Sequence, residues 1–174
     1  MEPRKAAFLI LLSLLIGWTS SAIAQPAVVQ VTKNHYTGTW LEIGRTPMLI
    51  TDGCVAGFTT YSPGNNPNEV AVVDGCYEGN PSGKLKTIKG KGRIVDADTT
   101  RAKLRVRYPF LITFNYWVLY TSPDKSWFIS SNPSMTNLWI YSRRAPSRKS
   151  LAVMVRKAQE LGYDVSKLEF PATK

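Results

Sequence analysis

The sequence predicts an all-β fold of eight antiparallel strands, as a sandwich or a barrel, followed by one amphipathic helix. Three observations predict it. Turn signals cut residues 36 to 143 into pieces of about eight to twelve residues, the spacing of antiparallel sandwiches and barrels. Several pieces alternate in polarity, most clearly RAKLRVRYPF (residues 101–110), where Arg101, Lys103, Arg105 and Arg107 interleave with Ala102, Leu104, Val106 and Tyr108. A period of two places successive side chains on opposite faces of a strand. After the last such piece the period changes to that of a helix, with Leu151, Met154, Val155, Ala158 and Leu161 forming one apolar stripe.

The elements follow in order. Residues 1–24 carry Arg4 and Lys5, an apolar run from Ala6 to Ile16 and a small-x-small ending at Ala22-Ile23-Ala24. That is the pattern of a secretory signal peptide cleaved before Gln25, leaving residues 25–174 as one domain. A retained N-terminal anchor is the alternative, although the apolar run is short for a membrane span. YTGTWLEIG is the first strand, RTPMLITDG a loop, and CVAGFTTYS the second strand. PGNNPN turns into EVAVVDGCY, the third, and EGNPSG turns again. KLKTIKGKGRIV and RAKLRVRY make the fourth and fifth strands around DADTT; FNYWVLY, SWFISS and NLWIYSR make the sixth to eighth. The last three are apolar on both faces, so something covers their outside, and the helical stripe is the natural cover. Ser147 is the expected N-cap of that helix and Gly162 its left-handed C-terminal stop. DVSKLEF reads as a short extended tail or a ninth strand.

Charge and export bound the function. The chain has 22 Lys+Arg against 12 Asp+Glu, a formal +10. Loss of Arg4, Lys5 and Glu2 leaves 20 − 11 = +9. An exported protein does not meet nucleic acid as its purpose, so the charge is read toward anionic lipid or other envelope anions. The expected location is the periplasm or outside the cell, peripheral to the outer membrane. No cysteine lies near the cleavage position, so no lipid anchor is expected. In an oxidising compartment the two cysteines, Cys54 and Cys76, are expected to form a disulfide.

Three motifs in order give the chain a family resemblance. Gly38-Thr39-Trp40 resembles the lipocalin Gly-x-Trp motif at a barrel's closed end. NYWVLY, with Asn115 and Tyr116, sits where the family has Thr-Asp-Tyr-x-x-Tyr, with Asn115 in place of the usual Asp. LWIYSR ends in Arg143, which matches the family Arg that lies over the motif Trp. TTRAKLRVRYPF and ELGYDVSKL are similar to the bacterial outer-membrane lipocalin and apolipoprotein D branch. The resemblance covers about residues 34 to 170 and implies an up-and-down barrel, the lipocalin calyx, with the helix packed outside. Arg143 is then expected to stack on Trp40 while its donors satisfy carbonyls at the barrel end.

Strand phase places the candidate site. If Trp40 points inward, so does Glu42. The same rule from Arg143 turns Tyr141 and Trp139 inward. Leu104, Val106 and Tyr108 face in because their neighbours are charged, and on the fourth strand Ile88 and Ile94 flank Gly90 and Gly92. Two inward glycines leave no side chain to fill space, or else mark a bend in a filled barrel. Tyr61, Val70 and Val72 match cavity positions by resemblance. An inward Glu42 must be protonated or bonded, either to a neighbouring tyrosine hydroxyl or to a ligand head group. On the outside, Lys89, Lys91 and Arg93 join Arg101, Lys103, Arg105 and Arg107 in a seven-cation face, solvated or docked on an anionic surface. Cys54 and Cys76 are symmetric about residue 65 and lie opposite each other in a regular hairpin. The family phase, with Tyr61 and Val70 both inward, implies an offset that only a bulge reconciles.

The reading that follows is a carrier holding a small hydrophobic ligand, a fatty acid or lysophospholipid, in the barrel, with a role in envelope maintenance. It acts as a monomer or homodimer, without cofactor, metal or nucleic acid. One alternative is an interaction protein whose basic face docks on an anionic membrane or a partner. The other is a lipocalin-type isomerase using Cys54 as nucleophile, which requires a free thiol of depressed pKa. A heme carrier would lean on His35.

Overall fold

A computed structural model describes residues 25–174; the predicted signal peptide lies outside the described residues. Eight antiparallel strands close into one barrel in sequence order. They are β1 (Gly38–Arg45), β2 (Cys54–Pro63), β3 (Glu69–Glu78), β4 (Leu85–Ile94), β5 (Lys103–Arg107), β6 (Thr113–Thr121), β7 (Trp127–Ser131) and β8 (Leu138–Ser142), with β8 pairing back onto β1. The expected strands are all present; β2, β3 and β6 run slightly past their expected ends, while β4, β5, β7 and β8 are trimmed where turn chemistry takes over.

The fifth strand shows how. The Asp96 carboxylate accepts from the backbone N–H groups of Ala102 and Lys103, and from the Thr100 hydroxyl. This ties residues 96–102 into a turn. Arg101 is left in the left-handed region (φ 59°), with its guanidinium on the Ala97 carbonyl at 3.0 Å. Arg101 is therefore not part of the basic face, contrary to the strict alternation.

One helix, α1 (Arg148–Glu160), follows β8. The Ser147 hydroxyl accepts from the Ser150 N–H, and Gly162 (φ +85°) ends the helix. Met154 and Ala158 are buried against Ile43, Ile129, Leu138 and Ile140, so the stripe covers β1, β7 and β8. The outer face of β6 is covered in two ways: Tyr120 packs against the helix cluster under Lys157, and the Lys103 ammonium lies 4.1 Å above the Trp117 ring. The tail makes no ninth strand. It forms a short 3-10 turn (Val165–Lys167) and a single antiparallel bridge between Glu169 and Arg45.

The barrel has two unlike ends. At one end a 3-10 turn (Lys33–Tyr36) enters β1, and the space inside is filled by Tyr36, Trp40, Tyr61 and Phe128. Gly38 has φ +64°, and a Cβ there would approach Arg143 Nη1 to 3.3 Å, so glycine is the residue that lets both fit. The Arg143 guanidinium sits 3.5 Å over the Trp40 ring and donates to the Thr39 carbonyl at 2.8 Å. At the other end the β1–β2, β3–β4, β5–β6 and β7–β8 connections surround an opening.

Candidate functional site

A cavity of about 200 Å³ occupies the open half of the barrel. Its walls carry Ile88, Phe114, Tyr116, Trp139 and Tyr141; its polar groups come from Glu42, Arg45, Thr59, Asp74 and Tyr108. Apolar surface with a few placed polar groups is the composition of a small-molecule site. Of the residues that strand phase and resemblance singled out, Glu42, Ile88, Tyr108, Trp139 and Tyr141 line it. Tyr61, Val70, Val72, Leu104 and Val106 lie in the packed core.

The glycine pair explains that packing. A Cβ on Gly90 would come within 2.5 Å of Val106 and 2.8 Å of Tyr108; one on Gly92 would meet Leu104 at 3.0 Å. The space over both glycines is thus filled by β5 side chains. The glycines do not open a cavity; they admit the larger residues opposite, which is the filled-barrel alternative.

The motif residues on β6 also sit differently from the expectation. Asn115 faces outward and accepts from Arg105 Nε at 3.1 Å, away from Trp40 and Arg143. Tyr116 points into the cavity, its ring 4.9 Å from Trp139. It is therefore a wall residue, and no closed-end network runs through this pair.

Two polar centres inside the cavity were not read from the sequence. The first is Arg45, 2 % exposed. Alternation from Trp40 through Glu42 would turn it outward, but a bulge between Glu42 and Gly44 shifts the register and turns it in. Its Nη1 donates to Glu42 at 2.5 Å and its Nε to Glu169 at 2.6 Å. Its Nη2 donates to the Thr51 and Cys54 carbonyls at 3.1 and 2.8 Å. The partner of Glu42 is therefore this guanidinium rather than a tyrosine. Burial holds the Glu42 carboxyl above the ordinary carboxylate range, against the pull of Arg45.

The second centre is Asp74. It follows Val70 and Val72 in the inward phase of β3, so its direction was legible although its role was not drawn. Its carboxyl accepts from Thr59 Oγ1 at 2.6 Å and Tyr108 OH at 2.5 Å, and the Tyr108 and Tyr116 hydroxyls are 3.2 Å apart. Among the described residues no cation pairs with it. Burial raises its pKa, opposed by the two hydroxyl bonds.

The cysteines form a disulfide beside this cavity, with Cα atoms 5.5 Å apart. They are not directly opposite: Cys54 pairs with Glu78, and a bulge between Val55 and Phe58 brings the two cysteines one position closer than the register of Phe58 with Gly75 alone would. With both sulfurs bonded, Cys54 has no thiol to act as a nucleophile. His35 lies at the closed end, among Tyr36, Trp40 and Phe128, outside the cavity. Burial, then Arg143 and Lys125, lower its pKa to about 3. Among the described residues no group of three or more His, Cys, Asp or Glu could hold a metal ion.

The outer surface has two features. Lys91 pairs with Arg107 and Arg93 with Arg105 across β4 and β5, like charges directly opposite, with no carboxylate bridging them among the described residues. Next to Arg107, the β5–β6 connection puts Phe110 (φ 60°) and Leu111 (φ 62°) at the centre of a tight turn. Such turns favour Asn-Gly, because two consecutive left-handed residues strain larger side chains. Here both residues are bulky and apolar, 91 and 100 % exposed. Across the mouth Leu49 is 98 % exposed.

Comparison with known proteins gives a consistent result. The family model described as a lipocalin-like domain matches residues 31–173. Temperature-induced lipocalin-1 of Arabidopsis thaliana is 34 % identical over 143 residues, covering 77 % of this chain and 75 % of that protein. A lipocalin of Acanthamoeba polyphaga mimivirus is 29 % identical over 141 residues, covering 77 and 80 % of the two chains. Insecticyanin from the tobacco hornworm Manduca sexta superposes with a TM-score of 0.65 at 18 % identity, covering 86 % of this chain and 84 % of that one.

Proposed function

The chain belongs to the lipocalin family, and on that premise we propose that it is a carrier that buries one small hydrophobic ligand in the open half of its barrel. The observation that carries this reading is the cavity itself: an opening between strand connections, aromatic walls, and a minority of polar groups held in fixed bonds. The walls suit a single alkyl chain of the kind a fatty acid or a lysophospholipid carries. Affinity would come from apolar area removed from water, roughly 25 cal/mol per Å² before the entropy of binding is subtracted. We read the protein as a binding protein rather than an enzyme. We also place it in the branch of bacterial outer-membrane lipocalins and apolipoprotein D, exported through its N-terminal signal and working at the cell envelope.

The test is direct. Organic extraction of the purified protein should release a lipid at about one per chain, identifiable by mass spectrometry. Titrating that lipid back should change tryptophan fluorescence saturably, and Trp139→Arg should abolish the change. An empty extract, with flat titrations across fatty acids and lysophospholipids, would contradict the carrier reading.

A second reading, compatible with the first, is docking on an anionic membrane. The observation favouring it is the strained pair Phe110 and Leu111, exposed at the mouth beside Arg107. Apolar tips next to unpaired cations suit insertion between lipid head groups, each base contributing on the order of 1 kcal/mol near such a surface. The protein should co-sediment with vesicles containing phosphatidylglycerol and not with phosphatidylcholine alone. The double variant Phe110→Ser, Leu111→Ser should lose most of that binding; equal sedimentation of the variant would remove the reading.

A further inference from the structure

The polar end of the cavity has a direction. Asp74 accepts two hydroxyl hydrogens, one from Thr59 and one from Tyr108. With its own hydrogen on Asp74, the Tyr108 oxygen can only accept from Tyr116. The hydrogens of all three hydroxyls are thereby turned toward the carboxylate. What this cluster leaves for a ligand is acceptor capacity: the free lone pairs of Asp74 and those of the Tyr116 oxygen.

The charges agree with the hydrogens. The buried cation of the cavity is Arg45, and its guanidinium already holds Glu42, Glu169 and two backbone carbonyls. Four of its five N–H groups are taken and two carboxylates already share its single charge, so a ligand carboxylate would be a third anion around one cation. Lys86 also borders the cavity, but its ammonium is tied to Glu78 at the half-exposed rim. Asp74, by contrast, is a buried carboxyl with no cation.

We infer that the cavity selects a single-chain amphiphile whose head is a protonated primary amine, seated on Asp74 and the Tyr116 oxygen, over the matching carboxylate. This rests on the carrier reading and narrows it: a fatty-acid anion is the disfavoured head. An ammonium supplies the charge Asp74 lacks and the N–H donors that the hydroxyl relay leaves unmet. The Tyr141 hydroxyl also faces the cavity and can turn either its lone pair or its hydrogen to a head group, so it does not decide between the two.

Three decyl probes, titrated at neutral pH by calorimetry, test it: decylamine, decanoate and decyltrimethylammonium. The expected result is decylamine binding at least about tenfold more tightly than either of the others, the yield of one charge-assisted hydrogen bond in a dry site. The quaternary probe carries the charge without N–H donors, so the wild-type protein alone tests the donor requirement. In Asp74→Asn the preference for decylamine over decanoate should fall to within a few-fold, with near-UV circular dichroism reporting an intact barrel. If all three probes bind wild type equally, the head-group assignment fails while the carrier reading stands. If the preference persists in Asp74→Asn, Asp74 is not its source and the assignment is overturned. If none of the probes binds, the head-group assignment is overturned, and the lipid extraction decides the carrier reading separately.

Discussion

The two ends of this barrel solve opposite problems with similar residues. At the closed end, Trp40 stacks under Arg143 and against Phe128, with ring centroids 4.8 Å apart in the latter pair, and His35 is buried neutral beside them. In the open half Trp139 and Tyr116 also meet at 4.9 Å, but they border empty space. One end uses its aromatics for closure, packed ring against ring. The other keeps aromatics on a wall and places a carboxyl without a counter-ion among them. A buried unpaired carboxyl lowers stability. It lies in the cavity half of the barrel, where the proposed amine would pair with it.

The largest effect that separates the ends is expected for Trp40→Ala. Removing a buried indole should cost about 3–5 kcal/mol, measured by chemical denaturation. Because Trp40 does not border the cavity, the decylamine titration should be unaltered wherever the variant is folded. A lost titration would show that the two ends are one unit.

Next comes the disulfide, which pins the strand whose Cys54 carbonyl receives Arg45. Cys54→Ala with Cys76→Ala should cost roughly 3 kcal/mol from loop entropy alone. Ligand affinity should fall with it, as Arg45 loses a fixed carbonyl.

The smallest effects are in pH, and they have opposite signs. His35 has a folded pKa of about 3 against an ordinary 6.5, so the native state binds fewer protons than the unfolded chain. Its contribution is present above the ordinary value and is lost as pH falls from 6.5 toward 3. Asp74 has a raised folded pKa, so its contribution is fully present below its ordinary 3.8 and is lost as pH rises through the folded value. Glu42 and Arg45 on β1, Tyr61 on β2, Tyr108 beyond β5, Tyr116 on β6 and Tyr141 on β8 share that interior. Asp74→Asn should stabilise the protein at neutral pH by about 1–3 kcal/mol, and the gain should vanish in acid. His35→Phe should flatten the acid limb instead. Denaturation midpoints across pH separate the two, and a gain for Asp74→Asn that persists in acid would show that burial of charge is not its cause.

Much of this was legible in the sequence, for reasons the residues make plain. Alternation in RAKLRVRY and turn clusters such as PGNNPN gave the strand order, and the stripe from Leu151 to Leu161 gave the helix, whose cover extends to β1 as well as to the expected β7 and β8. What failed was wherever alternation breaks. Bulges are invisible to a period-two reading, so Arg45 was left in the loop RTPMLITDG with no sign that it turns inward, and the Cys54–Cys76 offset was left unreconciled. Arg101 was counted into a strand that Asp96 ends. Gly90 and Gly92 suggested space, because whether a neighbouring strand fills a gap depends on its side chains reaching across. Asp74 was the avoidable miss: it shares the phase of Val70 and Val72, and a carboxyl in an otherwise apolar inward row is itself a signal.

The measurement that tests the division of the barrel most directly is a crystal structure with a decylamine carrying bromine at the far end of its chain, located by anomalous scattering. The account predicts the amine nitrogen within hydrogen-bond distance of Asp74. It places the bromine toward the mouth of the open half, near Met48, Ile50 and Phe114, with none between Trp40 and Arg143. Bromine at the closed end, or only on the outer basic face, would contradict it.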